Sequence, residues 1–357
     1  MNIGIIGLPQ TGKKTLFGLL VGPAGLDRHT DPSKTARGVA AVKDARLEPL
    51  ADVYKPKRST QARMEFLLPR KIEDQSISKG DIFRDLAEVD VFCHVVRGFE
   101  NDSVYHMWGS INPVRDIDYV NAEFVLHDLI FVEKRIEKIA KDLQKFKNDE
   151  LKKEKELLER LRNHLETEQP LRLANIGLAE EKSLRNYPLL TMREMLVVLN
   201  VSEETITDTS TIDELNAKYN DAKIDCVQIA AAAETEIASL ETEEERREFM
   251  NELGLSDTAL HVLTRKCIES LGLISFFTAS GDELRQWLVR RGSSIVQAAG
   301  KIHTDMARGF IRAEVVKYHD LIELGSEEKV KNAGRLAVKG KDYTVEDGDI
   351  LFIRFNV

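Results

Sequence analysis

The stretch GLPQTGKKT, Gly7 to Thr15, constrains this chain more than any other. A short β-branched apolar run, NIGII at Asn2 to Ile6, stands before it. After it, TLFGLLV at Thr15 to Val21 spells a helix with an apolar face. Strand, glycine loop and helix in that order form a phosphate-binding turn: the glycines let successive backbone N–H groups face an anion, and the helix N-terminus points at it. The pattern G-x-x-x-x-G-K-[ST] is met at Gly7, Gly12 and Lys13. It fails at its last position, where Lys14 replaces a hydroxyl. Such a turn opens α/β folds built on a mostly parallel sheet.

The rest of the chain supplies that sheet. MEFLL at Met64 to Leu68, VDVFCHVV at Val89 to Val96 and MLVVL at Met195 to Leu199 are near-continuously apolar, as strands buried on both faces are. CVQIA at Cys226 to Ala230 is a fifth candidate, leading into Ala231, Ala232 and Ala233, which are small enough for a backbone to approach a ligand. Between the third and fourth strands, Leu129, Ile136 and Leu143 recur every seven residues, and Val132, Ile139 and Phe146 repeat at the same interval, an a/d seam. Leu151, Leu158, Leu161 and Leu165 resume it after a polar break, which predicts an antiparallel coiled-coil hairpin over about Asn121 to Glu168. From about Leu273 short strands return. Phe310 to Val316 alternates, a helix is expected over Lys317 to Lys331, and Tyr343 to Phe355 carries an Asp-Gly turn signal between two strand-like runs. The predicted division is 1–120 with 186–272 as nucleotide-binding domain, 121–185 as helical insertion and 273–357 as a C-terminal module.

Composition narrows the function. A chain 42% hydrophobic and 31% charged is ordinary globular material, and a net charge of −9 argues against wholesale coating of nucleic acid; no specific DNA recognition is expected. Cys93, Cys226 and Cys267 are odd in number and lack C-x-x-C spacing, which implies a reducing compartment and no structural zinc. The opening MNIGIIGL is too short an apolar run for a signal or membrane helix, so a cytoplasmic protein without a membrane partner is expected. His94, inside an apolar strand, reads as a satisfied core histidine. No H-E-x-x-H, G-x-S-x-G or Cys–His signature is present.

Several stretches together carry a resemblance: GLPQTGKKTLF, DARLEPLADVYKPKR at Asp44 to Arg58, HVVRGFEND at His94 to Asp102, LNVSEE at Leu199 to Glu204, AAAETEIASL at Ala231 to Leu240, AAGKIHTDMARGFIRAEVV at Ala298 to Val316 and GKDYTVEDGDILFIRFNV to Val357. The chain resembles the YchF family of Obg-related P-loop ATPases along essentially its whole length. The resemblance implies an α/β P-loop NTPase domain with a mostly parallel sheet, an inserted antiparallel α-helical coiled-coil hairpin and a C-terminal β-grasp, ubiquitin-like TGS domain. It implies ATP or ADP as ligand, and ribosome or RNA as partner through the TGS and coiled-coil elements. Carried over by position, Gly7, Gln10, Thr11, Gly12, Lys13, Lys14 and Thr15 would hold phosphates, and Asn200, Val201, Glu203, Ala231, Ala232 and Ala233 would recognise the base.

The departures bear on chemistry. Guanine-specific relatives read the base with the Asp of N-K-x-D; here Asn200-Val201-Ser202-Glu203 ends in a longer Glu, the N-x-x-E form that favours adenine. Lys14 stands where a hydroxyl would ligate Mg²⁺. Thr15 lies about 100° further round the helix and does not substitute. Leu68 and Lys71 occupy the Asp and Gly of the family's D-x-x-G, the Gly-rich stretch after it shrinks to SISKGD at Ser76 to Asp81, and Thr30 and Thr35 stand outside the usual threonine pattern. Lys14 either neutralises phosphate in the metal's place or points to solvent. No catalytic residue and no metal ligand is assigned, Mg²⁺ is doubtful, and hydrolysis is expected to be weak or absent. A non-catalytic pseudo-ATPase scaffold is the alternative, and an Obg-like GTPase the more distant one.

Overall fold

The apolar runs become the centre of a parallel sheet. The computed structural model describes residues 1–22, 35–69, 86 and 88–356. Its strands are β1 (Asn2–Ile6), β2 (Ala36–Ala41), β3 (Arg58–Thr60), β4 (Arg63–Leu68), β5 (Val91–Arg97), β6 (Glu194–Asn200), β7 (Ile224–Ile229), β8 (Leu273–Ser280), β9 (Glu283–Arg290), β10 (Phe310–Lys317), β11 (Ala337–Lys339) and β12 (Asp349–Phe355). The chain divides into two units, Met1–Ala40 with Glu65–Leu263 and Ala41–Met64 with Thr264–Val357.

In the first unit the strand order is β2-β4-β1-β5-β6-β7, with β1, β4, β5, β6 and β7 running parallel. Register aligns Ile6 with His94, Arg97 with Asn200 and Asn200 with Ile229, so the loops leaving β1, β5, β6 and β7 emerge together at one edge. Ligands of open α/β sheets bind at such an edge. One face is sealed by the helix Pro113–Lys145, whose Ile117, Val120 and Phe124 pack with Ile6, Phe92, Val96 and Val197. That helix and the helix Asp149–Leu165 form a hairpin in which Val132, Ile136 and Ile139 meet Leu158, Leu161 and Leu165. Phe146, expected in the seam, is 70% exposed, because the first helix stops at Lys145. Asp128, fully buried, anchors the hairpin by accepting from the N–H groups of Leu190 (2.9 Å) and Thr191 (2.8 Å). Among the described residues no helix is long and apolar enough to cross a membrane.

The second unit is a mixed sheet of order β11-β10-β12-β8-β9-β3. The hairpin β8–β9 is followed by the helix Ile295–Ile302, then by β10, and β12 closes in parallel to β8, which is a β-grasp arrangement. Two details differ from the sequence-based reading. Tyr343 to Val345 makes only an isolated bridge, Ser294 to Thr344, and Asp347-Gly348 turns directly into β12. The expected helix is broken at Gly325, giving Tyr318–Leu324 and Glu327–Asn332, with Ser326 accepting from the Lys329 N–H at the second N-terminus. Residues 41–64, placed by sequence in the nucleotide-binding domain, group with this unit. The helix Leu47–Tyr54 buries Leu47 and Leu50 against Phe277, Leu284 and Ile350, and β3 pairs in parallel with β9.

His94 is fully buried, as a core histidine would be, but neither ring nitrogen has a hydrogen-bond partner among the described residues. Burial, helped by the charge of Lys13, pushes its pKa down to about 3. The folded state therefore refuses a proton that the unfolded chain accepts below about 6.5, and stability falls as pH drops from there towards 3. His94→Leu is expected to stabilise the protein by about 1–2 kcal/mol at neutral pH, since two orphaned polar atoms are removed, and to shift acid unfolding to lower pH. Urea titrations at pH 7 and pH 5 read both effects; a variant less stable at both values would contradict them.

Candidate nucleotide site

The loop after β1 is shaped by backbone that side chains rarely permit. Gly7 has φ 143° and Gly12 φ 94°, and Gln10 also lies at positive φ, 64°. A Cβ on Gly7 would meet the Val95 carbonyl oxygen at 2.3 Å. Thr11, buried, donates through Oγ1 to the Leu8 carbonyl at 3.2 Å and closes the turn. The helix Lys13–Val21 starts directly after Gly12, which brings no side-chain cap, and among the described residues no side chain bonds its first N–H groups.

Lys13 folds back over the loop and donates to the Leu8 carbonyl. Burial pulls its pKa down to about 8, and among the described residues no carboxylate lies within ion-pair distance of it. A half-buried ammonium without a nearby counter-charge is costly, and a bound anion relieves it. Lys14 and Thr15 are exposed on the first turn.

The two halves of the site meet at Asn200, the last residue of β6 and 5% exposed. Its Nδ2 donates to the Thr11 carbonyl at 3.0 Å, and its Oδ1 accepts from the Ala231 N–H at 3.0 Å. The sequence assigned Asn200 to base recognition. In the structure its amide straps the phosphate loop to the start of the helix Ala231–Ser239. Val201 is buried and its N–H donates to the Ile229 carbonyl at 2.8 Å. Glu203 opens a single 3₁₀ turn, Glu203–Thr205, and is exposed. Of the three alanines, Ala231 and Ala233 are each 1% exposed and belong to the core, so only Ala232 presents its side chain outward.

Sequence reasoning passed over several residues that shape the surroundings. Arg97, 3% exposed at the end of β5, donates to the carbonyls of Phe99, Asn101 and Val104 and fixes the following loop. His106 accepts at Nδ1 from the Trp108 N–H, which leaves Nε2 to donate to Asp116, 3.2 Å away. Glu234, in the helix beyond Ala233, accepts from the Ala259 N–H at 2.6 Å, yet burial pushes its pKa up to about 7. A charged residue interrupting an apolar or small-residue run is the one signal each leaves in the sequence.

The donors do not fit a magnesium ion held in the usual way. Lys14 offers an ammonium where a hydroxyl oxygen is needed, and Leu68 ends β4 without a carboxylate. No group of three or more His, Cys, Asp or Glu suited to a metal occurs among the described residues. Lys71, Thr30 and the stretch Ser76 to Asp81 lie outside the described residues; Thr35 precedes β2.

Comparison with known proteins places this geometry. A family model described as "YchF-GTPase_C: Protein of unknown function (DUF933)" matches residues 273–356. A Bacillus subtilis (strain 168) protein named "Ribosome-binding ATPase YchF" is 36% identical over 368 residues, covering 100% of both chains. The protein of the same name from Escherichia coli O157:H7 is 36% identical over 361 residues, covering 99% of each. The solved "Structure of the Schizosaccharomyces pombe YchF GTPase" superposes with a TM-score of 0.83 at 28% identity, covering 99% of this chain and 97% of that one. The printed names thus differ on the nucleotide, ATPase in the bacteria and GTPase in the yeast.

Proposed function

The chain belongs to the YchF family, and on that premise we propose that it binds adenine nucleotides, ATP or ADP over GTP, at the Gly7 to Thr15 loop without requiring magnesium. Turnover is slow or absent. Like the relatives named for ribosome binding, it associates with the ribosome, through its TGS-like C-terminal unit and helical hairpin. The observation that carries nucleotide binding is Lys13: a half-buried cation whose one hydrogen bond among the described residues is to a carbonyl, inside a loop whose strap and positive-φ glycines are intact. Lys14 adds a second positive charge at the position from which a hydroxyl would have held the metal. Glu203 favours adenine, because a carboxylate one methylene longer than Asp is misplaced for the guanine N1–H and N2–H₂ donors. A scaffold that binds nucleotide only to stabilise its fold is the second reading, favoured by Lys14 and Leu68 together.

Calorimetric titration with ATP, ADP and GTP, with magnesium and with a chelator, followed by single-turnover hydrolysis, tests this. ATP and ADP should bind in both conditions, GTP more weakly, with little hydrolysis. Magnesium-dependent ATP binding with fast turnover would sink the metal-free reading, and no binding of any nucleotide would sink the site.

The Lys13 pKa gives a second expected result. In the free protein Lys13 loses its proton as pH rises through about 8, whereas a bound phosphate favours the protonated form. Binding above that pH therefore takes up a proton, and affinity should weaken by up to about tenfold per pH unit between pH 8 and 10. Titrations in two buffers of different ionisation enthalpy measure the uptake directly. An affinity flat across that range would show that Lys13 does not face the phosphates.

A further inference from the structure

In β7 the sequence IDCVQI places one amide, Gln228, beside Leu199 of the neighbouring strand β6. Its Nε2 lies 3.2 Å from the Thr205 carbonyl oxygen, 2.9 Å from that of Ile206 and 3.0 Å from that of Asp208. Two N–H bonds are thus shared among three carbonyls of one turn, while Oε1 is buried without a partner among the described residues. Leaving an acceptor orphaned carries a penalty that an idle glutamine would avoid by turning over. The donors are what the position requires.

The turn they hold is the one that carries Glu203. Its near end is fixed by the Val201 N–H on the Ile229 carbonyl and by Asn200 on Ala231. Its far end, after the single 3₁₀ turn Glu203–Thr205, is fixed by Gln228. The Glu203 carboxylate makes no hydrogen bond or ion pair to a described residue, so it is placed by its backbone, whose carbonyl accepts from the Ile206 N–H. Resting on the adenine reading above, we infer that Gln228 is the positioning residue that sets the Glu203 carboxylate, and with it the preference for adenine over guanine nucleotides. A side chain on a strand paired along its length with β6 suits that task, since a rigid element holds a reader more closely than a loop can.

The test uses the full chain with ATP, GTP and inorganic tripolyphosphate as probes. Gln228→Leu keeps most of the bulk and removes both donors. Gln228→Glu keeps the shape but turns an anion on three carbonyls. In both, ATP affinity should fall about thirtyfold, as loss of two hydrogen bonds worth roughly 1 kcal/mol each implies. The ATP-to-GTP ratio should shrink towards one, tripolyphosphate binding should stay unchanged, and amide exchange at residues 205–208 should accelerate. A merely structural role would lower melting temperature or weaken all three probes together. Folded variants that keep the wild-type ATP-to-GTP and ATP-to-tripolyphosphate ratios would overturn the inference. Glu203→Ala separates it from the reading beneath it. If that substitution collapses the ATP-to-GTP ratio while the Gln228 variants do not, Gln228 positions nothing and the adenine reading survives. If Glu203→Ala leaves the ratio unchanged, the adenine reading fails, and the positioning of Glu203 as its reader is overturned with it.

Discussion

Gly12→Ala should abolish nucleotide binding and destabilise the protein by about 2–5 kcal/mol, summing roughly 1–2 kcal/mol for a non-glycine residue in left-handed backbone with about 1–3 kcal/mol for a buried polar group left unpaired. The backbone at Gly12 has φ 94° and ψ 11°. An added Cβ would stand 2.2 Å from Asn200 Nδ2 and 3.4 Å from its Cγ. Asn200 cannot step aside cheaply, because both ends of its amide are bonded, to Thr11 and to Ala231. Either the loop opens or the strap breaks, and each outcome moves the N–H groups that a phosphate would meet. Gly22 is the control. Its φ 72° and ψ 172° are also costly for alanine, about 1–3 kcal/mol, but among the described residues a Cβ there meets nothing within 4 Å, so Gly22→Ala should leave binding intact. Urea unfolding and ATP titration of both variants decide the matter. A second check is the cycle with Asn200→Ala: in the double variant the clash is gone, and the losses should fall short of additivity by more than about 0.5 kcal/mol. Full additivity would mean that Gly12 and Asn200 do not act on one another.

That strap also shows what a sequence conceals. The strand, loop and helix around Lys13 were legible because every signal lies within about twenty residues: β-branched run, glycine spacing, apolar helix face. So were β4, β5 and β6, whose centres are buried and mostly apolar. Asn200 was visible as a base-recognition candidate, but its strap was not, since its bond to Thr11 spans 189 positions and no local pattern reports it. Gln228 left a faint mark, one amide in an apolar run, whose meaning depends on three carbonyls twenty or more residues away. Phe146 misled in the opposite direction: the heptad continued in letters after the helix had ended. The strand β3 left no mark. Arg-Ser-Thr has no apolar alternation, and its partner Glu283–Arg285 comes more than 220 residues later.

That pairing leads to the second large effect. A fragment of residues 264–357 should not fold alone, although a family model recognises 273–356 within it. The fragment lacks Leu47, 7% exposed, and Leu50, 0%, which cover Phe277, Leu284 and Ile350, themselves fully buried. Two buried leucines are worth about 3–6 kcal/mol, and domains of this size hold about 5–15 kcal/mol in all. Polar groups lose their partners as well. Arg46 bonds Asp44 through Nε and Nη2 and reaches Asp347 at 2.8 Å, and Asp347 in turn accepts from the Ser275 N–H at 2.9 Å. Gln286, 1% exposed, accepts from the Ala62 N–H at 3.1 Å and would keep a buried amide oxygen unpaired. The edge of β9 that β3 covers would be bare, an invitation to aggregate. Circular dichroism and amide NMR of 264–357, alone and after joining residues 41–64 through a flexible linker, make the comparison. The joined protein should unfold cooperatively and the lone fragment should not; a well-dispersed, cooperatively melting 264–357 would show that the segment Ala41–Met64 only decorates the sheet. The same logic fixes how far one substitution reaches. Arg46→Ala removes one group from this network and leaves the leucines in place, so the intact chain should lose only about 2–3 kcal/mol, the cost of leaving a partly buried carboxylate unpaired.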